Sequence, residues 1–348
     1  MILGSKKAYA QQERERTKVQ IGAILMLAAS NGNEADSPES LQDGARRRRR
    51  FISNVPNVSL DLLGKSLVDR TAAKLRQAGV KTTTVIPEGP TLAQLLAARS
   101  LVPNDSVATC ERAVSDSVGQ GVQTLLLLRV GAYSDLDFEE LLRFHGEHGA
   151  ALTQVYAPDG SLDIAVVDAE SLRNVDGAYR KTLSALIPQQ ERFFYEGYVN
   201  RLRKPQDFHR LTEDALSGKC GLRPTGTEVG DGIWFGAGAE VDDSCVIDGP
   251  AFVGAATHVA ACCTISGGSA IERNCEIDFG TTVEQSWILQ ETYVGLSLSV
   301  RRSIVSNQKI FHLDRKAEIA ITDSRLIRAT VPIAQSGGTF RDKVEIAN

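Results

Sequence analysis

From Phe235 to Leu289 every sixth residue is apolar: Phe235, Val241, Ile247, Val253, Val259, Ile265, Ile271, Ile277, Val283 and Leu289. Four residues after each of the first eight falls a second column, Ala239, Cys245, Ala251, Thr257, Cys263, Ser269, Cys275 and Thr281, in which every member is small. A period of six that carries one aliphatic and one small residue suits a chain wound into triangular coils of 18 residues, three six-residue faces to each. The aliphatic fills the narrow bore, and the small residue sits near a corner, where a bulky side chain would strike the next coil. Stacked coils then pair as parallel strands at the usual spacing of about 4.8 Å. The expected fold of this segment is a left-handed parallel β-helix. Gly236, Asp242, Asp248 and Gly254, each just after an aliphatic, suit its tight corners. Cys245 and Cys263 are expected on one face, a coil apart. The register breaks at Gly295, and the apolar runs Ile304–Val305, Ile310–Phe311 and Ile319–Ile321 are expected as looser capping coils, because terminal repeats must shield the end of the stack.

Ahead of the repeat the text alternates strand and helix. Val19 to Ala29 reads as a buried strand. Leu67, Thr71, Ala72 and Leu75 share a helical face that Gly79 stops, and Val80 to Ile86 is the next strand, ended by Pro87. A helix over Thr91 to Arg99 and a buried strand over Val122 to Leu128 follow. Asp137 and Glu140 have capping-box spacing before the helical face of Phe138, Leu141, Leu142 and His145. Leu152 to Tyr156 and Leu162 to Val167 are strands. Such alternation implies an α/β layered domain with a largely parallel sheet. The expected organisation is a flexible tail over 1–18, the α/β domain over 19–215, the β-helix over 216–325 and a C-terminal tail over 326–348.

Composition narrows the function. A net charge of −4 is wrong for a nucleic-acid face. The basic run Arg46 to Arg50 reads as a solvated loop, with a dock for phosphate or anionic lipid as the alternative. No stretch reaches the roughly 18 apolar residues of a membrane helix, and Val19 to Ala29 lacks a signal-peptide cleavage pattern. A cytoplasmic protein is expected. Its six cysteines lack CxxC spacing, so reduced small core residues are expected rather than disulfides or zinc ligands.

Four stretches resemble the sugar-phosphate nucleotidyltransferases, enzymes that make nucleotide sugars such as GDP-mannose or ADP-glucose. They are the strand Gly22–Ala29; Leu62-Leu63-Gly64-Lys65-Ser66-Leu67-Val68-Asp69 with its helix to Gly79-Val80, similar to the family's "GKPL" segment; Leu125–Leu128 with the text to Ala150; and Gly197-Tyr198 with Pro205-Gln206-Asp207-Phe208, similar to "GYWxDIGTPxDY". The resemblance implies a Rossmann-type nucleotidyltransferase-like domain ahead of a hexapeptide β-helix, over roughly residues 20–325.

The residues that would carry the family's chemistry are altered. Where the family has "GxGTRL", to bring bare N–H groups to phosphates, this chain reads Ser30-Asn31-Gly32-Asn33-Glu34-Ala35, with a repulsive carboxylate at the arginine position. Asn57 takes the place of the "PKP" lysine, and the "EKP" signature is missing. The two metal-binding aspartates are replaced by Gly131, after the strand Leu125–Leu128, and by Arg201, which cannot ligate Mg²⁺. Catalysis, metal and cofactor are therefore not expected. Gly32 and Lys65 are the nucleotide-binding candidates, and Arg70 is a further residue able to touch anions. The expected partners are a sugar phosphate or nucleotide, a second copy of the chain, or an active nucleotidyltransferase. An alternative keeps transfer alive through a rebuilt site in which Asp135 or Asp137 holds Mg²⁺ and Arg129 or Arg201 clamps phosphate. Helix-start and capping roles explain both aspartates without chemistry. His145 and His148 are expected as packing or surface residues. A further alternative, a hexapeptide acyltransferase, would use His258 as base.

Overall fold

The computed structural model describes residues 20–27, 59–87, 105–172 and 179–330, in two compact units. The first contains residues 20–27, 59 and 66–202; the second contains 60–65 and 203–330. Expectations that fall on the tail over 1–18, on 28–58, on Thr91–Arg99 and on 331–348 lie outside the described residues.

The first unit is a mixed α/β layer. Its strands are β1 (Ile21–Leu27), β4 (Thr82–Ile86), β5 (Thr124–Val130), β7 (Leu152–Ala157), β8 (Gly160–Asp168) and β9 (Glu191–Phe194), in the spatial order β4-β1-β5-β8-β7-β9. β4, β1 and β5 pair in parallel, as do β7 and β9, whereas β8 runs antiparallel to both β5 and β7. The reason is local: only Pro158 and Asp159 separate β7 from β8, too short a link for a crossover. The sheet is therefore parallel at both flanks and reversed at one inner strand.

Helix α1 (Leu67–Gln77) starts at Ser66, whose hydroxyl accepts from Asp69 N at 3.1 Å and donates to the Asp69 carboxylate at 2.6 Å. Helix α2 (Asp105–Gly119) was not expected from the sequence. Its Cys110, Ala113 and Val114 pack with Ile24 and Met26 of β1 and with Leu125 and Leu127 of β5. Burial there pushes the Cys110 thiol up to about 12. Helix α3 (Phe138–His148) is capped by Asp137 alone, which accepts from Glu139 N at 2.8 Å; Glu140 is exposed and completes no capping box. On α3, His148 is exposed, whereas His145 is buried with Nδ1 2.8 Å from Thr153 Oγ1, and its burial lowers its pKa. Helix α4 (Tyr179–Leu186) adds Tyr179 and Leu183 to the cluster beneath α2.

The second unit is a run of short strands in parallel sheets, an arrangement compatible with a β-helix. One column of pairs runs Phe235–Val253–Ile271–Ile288–Val305, a second Val241–Val259–Ile277–Val294, and a third Ile247–Ile265–Val283–Val300. These side chains form one continuous core. The pairing corrects the expected register. The step from Val283 goes to Ile288, five residues on, so Leu289 lies outside the core column. Counted from Ile288 the spacing of six continues through Val294 and Val300, and Gly295 breaks nothing.

Two further expectations change. Left-handed backbone residues lie three positions after the core aliphatic at Gly238, Ala256, Cys262, Asn274, Gly280, Glu291 and Ser297, and two positions after it at Gly267, Gln285 and Arg302. Gly254 instead answers a close approach: a Cβ there would meet Arg273 N at 2.5 Å, in the next coil. At the end of the stack Ile304–Val305 continues the parallel pairing as expected, but Ile310–Phe311 and Ile319–Ile321 do not. β24 (Ser303–Ser306), β25 (Lys309–His312) and β26 (Ala317–Ala320) form an antiparallel meander, and β27 (Ile327–Ala329), in text expected to be tail, pairs antiparallel with β22 (Thr292–Val294). Such a cap can form because its connections are short turns.

The small column does more than avoid collisions. Thr257, Ser269 and Thr281 donate to a carbonyl of the following coil, at 2.7, 3.2 and 2.6 Å, and accept an N–H from it. Cys245, Cys263 and Cys275 direct their thiols at carbonyls in the same way, each at 3.1 Å. These are free cysteines, as are Cys110, Cys220 and Cys262, but Cys262 is exposed at a corner and is no core residue. Thr281→Val keeps the shape yet strands Leu298 N–H and Gly295 C=O in the interior. It is expected to lower stability by about 2 kcal/mol in urea unfolding, against a near-zero effect if the column serves only as a spacer.

Helix α5 (Pro205–Leu216) belongs to this second unit. The outward side chains of one sheet, Phe252, Ala270, Trp287 and Ile304, are apolar and buried. Phe208 of α5 stacks on Trp287 at 6.2 Å and 10°, and His209 Nε2 lies 2.9 Å from the carbonyl of Gln285, in the shortened corner.

Candidate functional site

Of the described sequence candidates, Arg70 and Arg129 come together as lining residues of one pocket. Gly32, Glu34, Asn57 and the run Arg46 to Arg50 lie outside the described residues. Lys65 is half-buried in β3 (Lys65–Ser66), which pairs with β2 (Asp61–Leu62) around a turn at Leu63 and Gly64. Lys65 belongs to the second unit, whereas Arg70, Asp135, Asp137, Arg129 and Arg201 belong to the first.

Within the first unit each residue is held by local structure. Asp135 accepts from the Tyr133 hydroxyl at 2.6 Å, and its N–H donates to Tyr198 O at 3.2 Å. Burial, and after it the Asp135 charge, raises the pKa of Tyr195. Asp137 caps α3. Arg129 Nη1 lies 3.6 Å from Asp163. Arg201 grips the β7–β8 turn: its Nε donates to Asp159 Oδ2 at 2.9 Å, its Nη2 donates to Asp159 Oδ1 and to Gly160 O at 3.0 Å, and its Nη1 donates to Ser161 O. Gly131 follows β5 and offers no side chain. Among the described residues no group of three His, Cys, Asp or Glu side chains is placed to hold a metal ion.

In the second unit His258 is exposed, on the outward face of its strand. Its Nδ1 lies 3.5 Å from Glu240, and its neighbours in register are Glu240 and Glu276.

One pocket does form in the first unit. Leu128, Val130, Phe138, Leu162 and Ile164 give it apolar walls, and α1 contributes Arg70, Thr71 and Lys74. Lys74 Nζ donates to Ser134 O at 3.1 Å and lies 5.4 Å from the Tyr133 ring centroid. Arg70 and Lys74 fall on the same helix face because they are four residues apart. Lys74 was missed in the sequence. Its signal was that spacing, on a strip of helix that borders Leu67 and Thr71 of the apolar face.

A comparison of the chain with protein-family models finds no match, and a comparison with curated proteins finds none either. No helix among the described residues is long and apolar enough to cross a membrane.

Proposed function

We propose that the chain is a nucleotidyltransferase-like protein of nucleotide-sugar or surface-polysaccharide metabolism, without nucleotidyl transfer of its own, acting as a regulatory, sensing or assembly partner. In this reading the first unit is a Rossmann-type layered domain and the second a left-handed β-helix, as the recurring 18-residue register suggests. The observation that carries the loss of catalysis is Arg201. It occupies the place of a metal carboxylate and is tied to Asp159 and two carbonyls of the β7–β8 turn. A cation there repels Mg²⁺, and losing one metal carboxylate costs several kcal/mol of transition-state stabilisation.

The test is pyrophosphate release by the full chain with Mg²⁺, a panel of sugar 1-phosphates and each nucleoside triphosphate. No release above the protein-free rate is expected. Turnover at about 1 s⁻¹ or faster, within the ordinary enzyme range, overturns the reading. The same panel in a thermal-shift format separates the roles, because a ligand that binds only the native state must raise the melting temperature. A shift without Mg²⁺ supports a sensor, and no shift supports an assembly role.

A further inference from the structure

We infer that the pocket beside α1 binds a compact organic anion, a carboxylate or phosphate monoester joined to an apolar body. Three observations combine. Arg70 and Lys74 of α1 and Arg129 of β5, which lies 3.6 Å from Asp163, bring cationic groups there, and among the described residues no aspartate, glutamate, histidine or cysteine lines the pocket itself. In a chain of net charge −4 this is a local positive potential, focused by low-dielectric walls, and not a basic surface at large. The remaining walls, Leu128, Val130, Phe138 and Ile164, suit an apolar group, the usual pairing of a hydrophobic pocket with a few placed polar groups. Finally, Lys74 is anchored by Ser134 O and the Tyr133 ring, so its ammonium is ordered before any ligand arrives. The pocket's volume is about 40 Å³, a few water-sized spheres, and it opens to solvent, which suits a compact ligand. Among the described residues no lining carboxylate is present to hold a metal ion in the same place.

The inference stands on this unit alone and does not depend on the family reading. It is tested by calorimetric titration of the full chain with benzoate and phenyl phosphate, with benzyl alcohol as the neutral analogue and inorganic phosphate as the bare head group. Saturable binding of benzoate or of phenyl phosphate is expected, and whichever binds tighter identifies the head group. Arg70→Gln and Lys74→Met should each weaken it about tenfold, the size of one charge-assisted hydrogen bond. Both variants are first checked for an unchanged melting curve without ligand, and either one alone suffices if the other does not fold. No saturable binding of either anion, equal binding of benzyl alcohol, equal binding of bare phosphate, or affinities unmoved by the substitutions would each overturn the assignment.

Discussion

Replacing Glu272 by leucine is expected to destabilise the second unit by about 4 kcal/mol, among the largest losses a single side chain here can cause. Glu272 is fully buried and holds the turn between β2 and β3. Its Oε1 accepts from Leu63 N at 2.8 Å and from the Trp287 indole at 3.0 Å, and its Oε2 accepts from Gly64 N at 2.8 Å. The turn needs this support because Leu63 and Gly64 both have positive φ, at 54° and 85°, and only Gly64 adopts that freely. Leucine leaves three buried N–H groups without an acceptor. Both tryptophans of the chain, Trp234 and Trp287, lie in this unit, so tryptophan fluorescence during urea unfolding reads its stability directly. A loss under about 1 kcal/mol would show that the turn is not held by this carboxylate.

The same side chain makes a pH prediction. Burial, partly opposed by its hydrogen-bond donors, raises the Glu272 carboxyl from 4.5 to about 7. Asp61, itself 2.8 Å from Arg273, adds to the rise, and Cys275 shares the buried surroundings. Between these two values the folded chain keeps a proton that the unfolded chain has lost. Stability is therefore highest below the unfolded value and falls as pH rises through about 7. At 1.36 kcal/mol per pH unit the change is about 3 kcal/mol. Carboxylates whose pKa is lowered, such as Asp278 and Glu213, act in the opposite sense and only in more acid solution. Glu272→Gln cannot ionise and should flatten the profile between about pH 5 and 8, at the cost of a donor facing Gly64 N–H. An identical pH profile in wild type and Glu272→Gln would rule the titration out.

Trp287→Ala carries the second large effect. The side chain is 1% exposed, stacks on Phe208 and donates to Glu272. Its removal should cost about 4 kcal/mol through the lost transfer energy and the cavity left between α5 and the sheet. Because Glu272 loses a donor at the same time, its carboxyl should rise further and the pH profile should shift upward. A double-mutant cycle with Phe208→Ala separates the ring stacking from simple burial: a coupling of about 1 kcal/mol is expected. Strict additivity would mean that the two rings merely share a hydrophobic neighbourhood. Fluorescence of the remaining Trp234 and far-ultraviolet circular dichroism both follow the transition.

Much of the local structure was legible before any coordinates. The shared face of Leu67, Thr71, Ala72 and Leu75 with the stop at Gly79 announced α1, and the apolar runs announced β1, β4 and β5, because these signals act within one turn or one strand. Helix α2 was hidden. Its text, Asp-Ser-Val-Ala-Thr-Cys-Glu-Arg-Ala-Val-Ser-Asp-Ser-Val-Gly, is rich in residues that compete for backbone hydrogen bonds, and only burial of Cys110, Ala113 and Val114 offsets that. At the candidate site the sequence could point to Arg201 as an absent acid. It could not name Asp159 as the partner, because 42 residues separate the two and a reversed strand brings them together.

The six-residue period by itself determined that the second unit winds as stacked short strands around an aliphatic core, since a chain with three six-residue faces to a turn sends every sixth side chain into the bore and stacks every eighteenth in one column. Tertiary structure decided the rest: that Ile288 and not Leu289 enters the core, that Phe252 and Trp287 face outward under α5, and that Glu272 is buried. A periodic pattern records which residues leave water. It does not record which distant surface covers them, and that choice depends on packing and hydrogen bonding between segments far apart in the chain.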